Sequence, residues 1–365
     1  MREPNAIDFW RGVALVTIFV NHIPGVIYQR VTFSGYSISD AAELFVFLAG
    51  WAIALATERR GDPDSPRRVV LRLASRTLEI YRAQILVTAV ALAMIAGAAI
   101  LLDNPLIIEW HNAGPVFVDP VPTTLGWVLM THQLGYFNIL PLYVGILALS
   151  PFFVLLARLS RPAALIMSIN LYLAAMVYEI NVPSWPVEGY WFFNPLSWQL
   201  LLVLGFVASQ LSRESEAFRV WTRRLQPLGI GGVVVGVVVV VTDWRPDPLL
   251  VPEPRLLFLF DKTYLSPARI LHFICLLLAF QGVYALIARL VPWLARQFSA
   301  LGRNSLEVFV VASLASLAAQ FVRFVTGGGF IVDTLVVWFG LCALSFTAWF
   351  VEWRSRSPRP SSLRE

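Results

Sequence analysis

Hydrophobic runs of membrane-spanning length recur along almost the whole chain, separated by short polar breaks. A helix needs about 20 mainly apolar residues to cross the hydrocarbon core of a bilayer. The pattern therefore predicts about ten transmembrane helices, at roughly 7–29, 41–57, 78–102, 134–157, 163–180, 195–211, 227–243, 266–288, 304–325 and 330–352. That is an all-α polytopic membrane protein, with one transmembrane domain over 1–353 and a polar, disordered tail at 354–365. No internal repeat or pair of broken helices stands out, which counts against a transporter of the inverted-repeat kind.

The polar breaks alternate in charge. With a cytoplasmic N-terminus, the inside segments hold Arg2, then Arg59, Arg60, Arg67, Arg68, Arg72 and Arg76, then Arg158 and Arg161. They continue with Arg213, Arg219, Arg223 and Arg224, then Arg289, Arg296 and Arg303, and finally Arg354, Arg356, Arg359 and Arg364. The outside segments hold only Arg30, Arg245, Arg255, Lys262, Arg269 and Arg323, mixed with acids such as Asp103, Glu109 and Asp247. The positive-inside rule then predicts both termini cytoplasmic. Met1 is followed closely by the first span without a small-residue cleavage site, so an uncleaved anchor is expected. Two long outer segments, about 103–133 and 244–265, have the length of functional lids or binding walls, and membrane-surface padding explains them equally well. The 58–76 segment begins as a polar turn and ends as a basic helix entering the third span.

Composition agrees. The chain of 365 residues is 58% hydrophobic and 14% charged, with 13 Trp and a mean hydropathy of +0.69, which excludes an ordinary soluble domain. Lys262 is the sole lysine among 28 basic residues, and the net charge of +5 speaks for membrane orientation and against a nucleic-acid partner. Cys275 and Cys342 lie in apolar runs that offer no disulfide framework, zinc spacing or nucleophile, so they read as packing residues and no metal is expected.

Against this background the ionisable residues inside spans carry the functional signal. Arg11 and His22 are eleven residues apart in the first apolar run, so they share a helix face about 16 Å apart along the axis. That spacing suits a long ligand with an anionic tail. His22 lies about 22 Å beyond the inner end of its span, nearer the outer surface, where a neutral imidazole can accept a proton; a hydrogen-bonded packing histidine is the alternative. Arg11 sits about one turn inside the cytoplasmic edge and could equally snorkel to lipid phosphate. Asp40 and Glu43 have capping-box spacing at the start of the second span. Glu43 also enters at a depth similar to His22, where a carboxylate would orient the imidazole and stabilise its protonated form.

Arg72, Arg76 and Arg82, with Tyr81 among them, flank the cytoplasmic start of the third span. They are either a topology signal or, with Arg11, a clamp for the phosphates of a nucleotide tail. Polar residues also gather near outer span ends: His132 and Gln133, Asn138, Trp198 and Gln199, then Lys262, Arg269 and His272. Aromatic residues at such depths serve as interfacial anchors. Amides and indoles also make a carbohydrate-type surface, to which Lys262 and Arg269 add room for an anionic acyl group. Leu301-Gly302-Arg303-Asn304-Ser305 reads as a polar helix entry with a structural role.

Taken together, Ile7-Asp8-x-x-Arg11-Gly12 with His22-Ile-Pro24, then Ser39-Asp40-Ala-Ala-Glu43-x-Phe-Val-Phe, resemble the start of the OpgC family. These membrane proteins succinylate osmoregulated periplasmic glucans and belong to the wider acyltransferase-3 superfamily. Further matches run in order to about residue 309: Ile139-Leu-Pro141-Leu-Tyr143, Asn194-Pro195 with Trp198-Gln199, Lys262-Thr263-x-Leu265 with Arg269 and Leu271-His272-Phe273, and Leu301-Gly302-Arg303-x-Ser305-Leu306. Departures are Ala49-Gly50 for the usual Ser-Gly, a third-span basic motif without its proline, and Asn138 where close relatives would have Asp.

The resemblance implies a bacterial inner-membrane O-acyltransferase that takes succinyl-CoA from the cytoplasm, holds no permanently bound cofactor, and acylates a periplasmic glucan among membrane lipids. It implies His22 as the key catalytic group with Glu43 as its carboxylate, and a basic residue at Arg11. Arg11, Arg72, Arg76 and Tyr81 then face the acyl-CoA. Asp40, Gln133, Asn138, Trp198, Gln199, Lys262, Arg269 and His272 face the acceptor or the acyl group. Asn21 and Gln133 are candidate oxyanion donors. With no appended soluble domain in the chain, transfer would be completed within the membrane domain. A covalent acyl-histidine and a homo-oligomer stay open. The rival expectations are a proton-coupled transporter of acylated or sugar substrates, with His22 and Glu43 as its relay, and a membrane scaffold without chemistry.

Overall fold

The computed structural model describes residues 3–59 and 62–356. Among them lie fifteen α-helices, named in chain order α1 (Ala6–Asn21), α2 (Ala41–Thr57), α3 (Pro66–Leu101), α4 (Gly114–Val118), α5 (Pro120–Val128), α6 (Ile139–Leu159), α7 (Arg161–Val177) and α8 (Pro195–Glu214). They continue as α9 (Glu216–Arg224), α10 (Gln226–Val241), α11 (Pro267–Ala279), α12 (Val283–Leu290), α13 (Pro292–Arg303), α14 (Ser305–Thr326) and α15 (Phe330–Arg356). Each of the ten predicted apolar stretches contains a helix. Five helices, α3, α6, α8, α14 and α15, are long and apolar enough to cross a membrane, or up to seven spans if two bent pairs count as one each. Helices α2 and α7 are apolar but shorter. The all-helical expectation therefore holds; the one extended feature among the described residues besides an isolated bridge is a two-residue ladder pairing Glu58-Arg59 with Asp62-Pro63.

Local chemistry decides where the helices stop. The first apolar run was expected to span 7–29, but α1 ends at Asn21, because Pro24 disfavours a helical residue before it and Gly25 turns with φ +74°. The last helix, expected to end at about 352, runs on to Arg356, and residues 357–365 of the predicted tail lie outside the described residues.

The chain forms two compact units, one of Gln29–Gln281 and the other of the segments up to Tyr28 and from Gly282 onward. At the centre of the first, α2 crosses α8 at reciprocal glycines. A Cβ on Gly50 would lie 1.9 Å from the Leu202 carbonyl oxygen, and one on Gly205 2.0 Å from that of Phe47. The second unit repeats the device. A Cβ on Gly12 of α1 would lie 2.0 Å from the Phe298 oxygen of α13, and one on Gly302 1.8 Å from that of Asp8. Small residues let helix backbones approach this closely where lipid offers no hydrophobic drive to associate.

The predicted outer segment 103–133 is not a stand-off loop. After Leu101 it forms a 3₁₀ stretch (Pro105–Asn112), α4 and α5, and the Tyr81 hydroxyl donates to the carbonyl of Val128 at 2.9 Å. Tyr81 lies about 20 residues, ~30 Å, before the end of α3. The segment thus folds back alongside α3, a course no hydropathy window can register.

Candidate active site

The densest polar cluster in the larger unit lies at the start of α2. Asp40 caps that helix, accepting from the Ala42 N–H at 2.8 Å, while Glu43 accepts the Asp40 N–H at 3.0 Å, which completes the capping box. Capping accounts for only half of Glu43, which is fully buried. Its Oε1 also accepts Arg269 Nε at 2.7 Å and faces Nη2 at 2.5 Å. Arg269 Nη2 lies 3.5 Å from Asp40 Oδ2, and that oxygen also takes the ammonium of Lys262. Two carboxylates thus balance two cations: Glu43 and Arg269 are buried as a pair, as buried charge requires, while Asp40 and Lys262 stay partly open to solvent. One turn along α11, His272 has Ser39 and Ser37 hydroxyls at 3.0 and 3.3 Å from Nδ1. A Cβ on Gly236 of α10 would come within 2.0 Å of its Nε2, so this histidine is packed against a helix.

The sequence predicts that Lys262 and Arg269 welcome an anionic acyl group. Their carboxylate partners show instead a neutral, internally bonded cluster. The partnership of Arg269 with Glu43 and the serines beneath His272 were missed; the available signal was that an arginine in an apolar segment needs an acid somewhere.

In the smaller unit, Arg11 lies within α1, with its Cβ against the close approach of Gly302 on α13. His22 is the C-cap of the same helix, and its own N–H still donates to the Ile18 carbonyl at 2.9 Å. The helical spacing between the two residues therefore survives to the cap.

The basic end of α3 is more heavily engaged than its sequence suggests. Arg72 pairs with Asp64 at 2.9 Å and also donates to the Ala56 carbonyl. Among the described residues, Arg76 makes an exposed pair with Glu79 at 2.7 Å, an interaction of small worth. Tyr81, expected among the cytoplasmic phosphate ligands, gives its hydroxyl to Val128, part of the segment assigned to the other side. Arg76 is thus the least committed of the three.

Trp198 is fully buried, with its indole N–H directed at the carbonyls of Lys262 and Thr263 at 3.1 and 3.2 Å. Gln199 is also fully buried, bonding Ser168 through both ends of its amide. Both brace the Lys262 loop and α7 from within and present no sugar-facing surface, since a 3.6-residue period cannot tell an interfacial indole from a core one. Gln133 donates to the Met130 carbonyl at 3.1 Å, and Asn138 stands at the start of α6 without a side-chain capping bond. His132 lies 3.0 Å from the Asn112 carbonyl, and burial pushes its imidazole below the ordinary histidine range.

A family model described as OpgC protein matches residues 2–356. The chain belongs to the OpgC family. The match takes in every candidate residue above, from Arg11 to His272. Membership of the OpgC family implies transfer chemistry of the acyltransferase kind on a membrane protein. A search of curated proteins and of solved structures finds no match to this chain.

Proposed function

We propose that this chain is a transmembrane O-acyltransferase that moves a succinyl group from cytoplasmic succinyl-CoA to hydroxyls of periplasmic glucans in the bacterial inner membrane. The observation that carries the reading is the OpgC family match across nearly the whole chain. In this reading about ten spans leave both termini cytoplasmic. Arg11 meets the phosphates of the donor, and the pantetheine arm runs beside α1 toward His22.

His22 takes the proton of a glucan hydroxyl as its oxygen attacks the thioester carbonyl. The tetrahedral intermediate collapses by breaking the C–S bond, and the departing CoA thiolate recovers the proton from the imidazolium. Atoms and charge balance without a further reactant. The charge balance of Asp40, Glu43, Lys262 and Arg269 favours a neutral, hydroxyl-rich acceptor at that cluster over a fixed anion.

Transfer of radiolabelled succinyl from succinyl-CoA to glucan by the purified protein tests this reading. Wild type is expected to transfer and His22→Ala to lose transfer almost completely. Full activity in His22→Ala would remove the mechanism. Proton-driven flux of substrate without any transfer would replace the enzyme with the transporter.

A further inference from the structure

The backbone that follows His22 is irregular, yet it is bonded as tightly as a helix. Gln320 of α14 donates its side-chain N–H to the His22 carbonyl at 2.7 Å. One turn further along α14, Arg323 donates through Nη1 to the Pro24 carbonyl and through Nη2 to that of Gly25 at 2.9 Å. Its Nε faces Asp333 Oδ1 at 2.8 Å. The other carboxylate oxygen of Asp333, in the first turn of α15, accepts the Ile27 N–H at 2.9 Å. Tyr28 and Thr334 close the seam with a 2.8 Å bond between their hydroxyls. Asp333 is fully buried and Gln320 nearly so.

Three carbonyls and one amide of residues 22–27 are thus gripped by three side chains from α14 and α15, all within the smaller unit. The grip touches backbone atoms, so it fixes where the chain runs whatever side chains it carries. Arg323 suits the task because its planar fork reads two adjacent carbonyls while Nε is held by a carboxylate. Two residues with positive φ, Gly25 at +74° and Gly328 at +74°, leave room on either side: a Cβ on Gly328 would stand 2.8 Å from Arg323 Nη2. Burying the Asp333 carboxylate, with a partly exposed arginine as its partner, merely to end a helix is unfavourable when a glycine cap would serve.

We propose that Gln320, Arg323 and Asp333 form a positioning clamp that holds the His22 backbone, and so its imidazole, in the orientation required for proton abstraction. The inference rests on the reading of His22 as the general base. A displacement of about 1 Å at a reacting group can cost about 100-fold in rate, so loosening the clamp acts on turnover more than on donor binding.

The test uses the full chain in detergent micelles. Three variants are compared with wild type: Gln320→Ala, which removes one bond; Arg323→Lys, which keeps the charge but loses the fork; and Arg323→Met/Asp333→Leu, which removes both charges together and so strands neither. Expected are kcat values lower by about 10- to 100-fold with KM for succinyl-CoA within about twofold of wild type. A second readout needs no turnover: carbethoxylation of His22 by diethyl pyrocarbonate, followed by peptide mass spectrometry, is expected to change rate severalfold in the same variants. If His22→Ala abolishes transfer while all three variants keep wild-type kcat and wild-type labelling, the clamp is refuted and the base stands. If His22→Ala transfers normally, the catalytic role of His22 falls, and with it the proposal that the clamp serves catalysis. Arg323→Lys restoring wild-type kcat would also refute it, because a lysine cannot replace the fork.

Discussion

The Glu43–Arg269 pair offers the sharpest separation of structure from chemistry. Glu43→Gln keeps the side-chain shape and an oxygen for the Asp40 N–H, but it removes the charge facing Arg269 at 2.5 Å. Stripping one partner from a buried ion pair costs about 3–5 kcal/mol. The Asp40 carboxylate remains 3.5 Å from the guanidinium, although Lys262 already shares it, which places the expected loss near the lower end, about 3 kcal/mol. For a chain of this size that corresponds to a fall in Tm of about 6 °C, readable from tryptophan fluorescence in detergent. Arg269→Leu should cost a similar amount by stranding the carboxylate. The double variant Glu43→Gln/Arg269→Leu removes both charges and should return to within about 1 kcal/mol of wild type. Transfer activity then separates two roles for Glu43. A carboxylate needed only to neutralise Arg269 gives a double variant that is both stable and active; one that takes part in transfer gives a double variant that is stable and inactive. Single variants melting within about 2 °C of wild type, or a double variant whose loss equals the sum of the singles, would refute the reasoning.

Three further outcomes follow from the same geometry. Gly50→Ala or Gly205→Ala forces a methyl to within 1.9 or 2.0 Å of a facing carbonyl oxygen, and each should cost about 1–3 kcal/mol; the double variant should cost less than the sum, because the first methyl already parts the helices, and strict additivity in melting experiments would disprove a shared crossing. Arg76→Ala should raise KM for the acyl donor severalfold without moving Tm, whereas Arg72→Ala should lower Tm because Asp64, itself nearly buried, loses its closer cation; equal effects on KM and none on Tm would contradict that division. Burial depresses the His132 imidazole, so the unfolded chain binds a proton more readily than the folded one; stability should be full above about pH 6.5 and fall as the pH drops toward the folded value, and His132→Gln should flatten that slope between pH 5 and 7.

Much of this protein is legible in its sequence. Each apolar run holds a helix because a backbone in hydrocarbon must bond within its own segment, and the runs are long enough to be seen without tertiary information. The capping box of Asp40 and Glu43 was readable because a cap is local, needing residues three apart. The OpgC motifs lie in order along the chain, so the family too was accessible to sequence alone. What tertiary structure decided is how those groups are used. Arg269 was expected to meet an acyl carboxylate and instead meets Glu43, over two hundred residues away in the chain. Trp198 and Gln199 were expected at a sugar surface and lie in the core, Tyr81 reaches a segment assigned to the far side, and Arg323 and Asp333 grip the turn after His22. The physical reason is common to all of them. Hydropathy and capping are set by neighbours in sequence, whereas a buried charge or amide is satisfied by whichever partner the fold brings within about 3 Å, and that partner leaves no periodic trace in the chain.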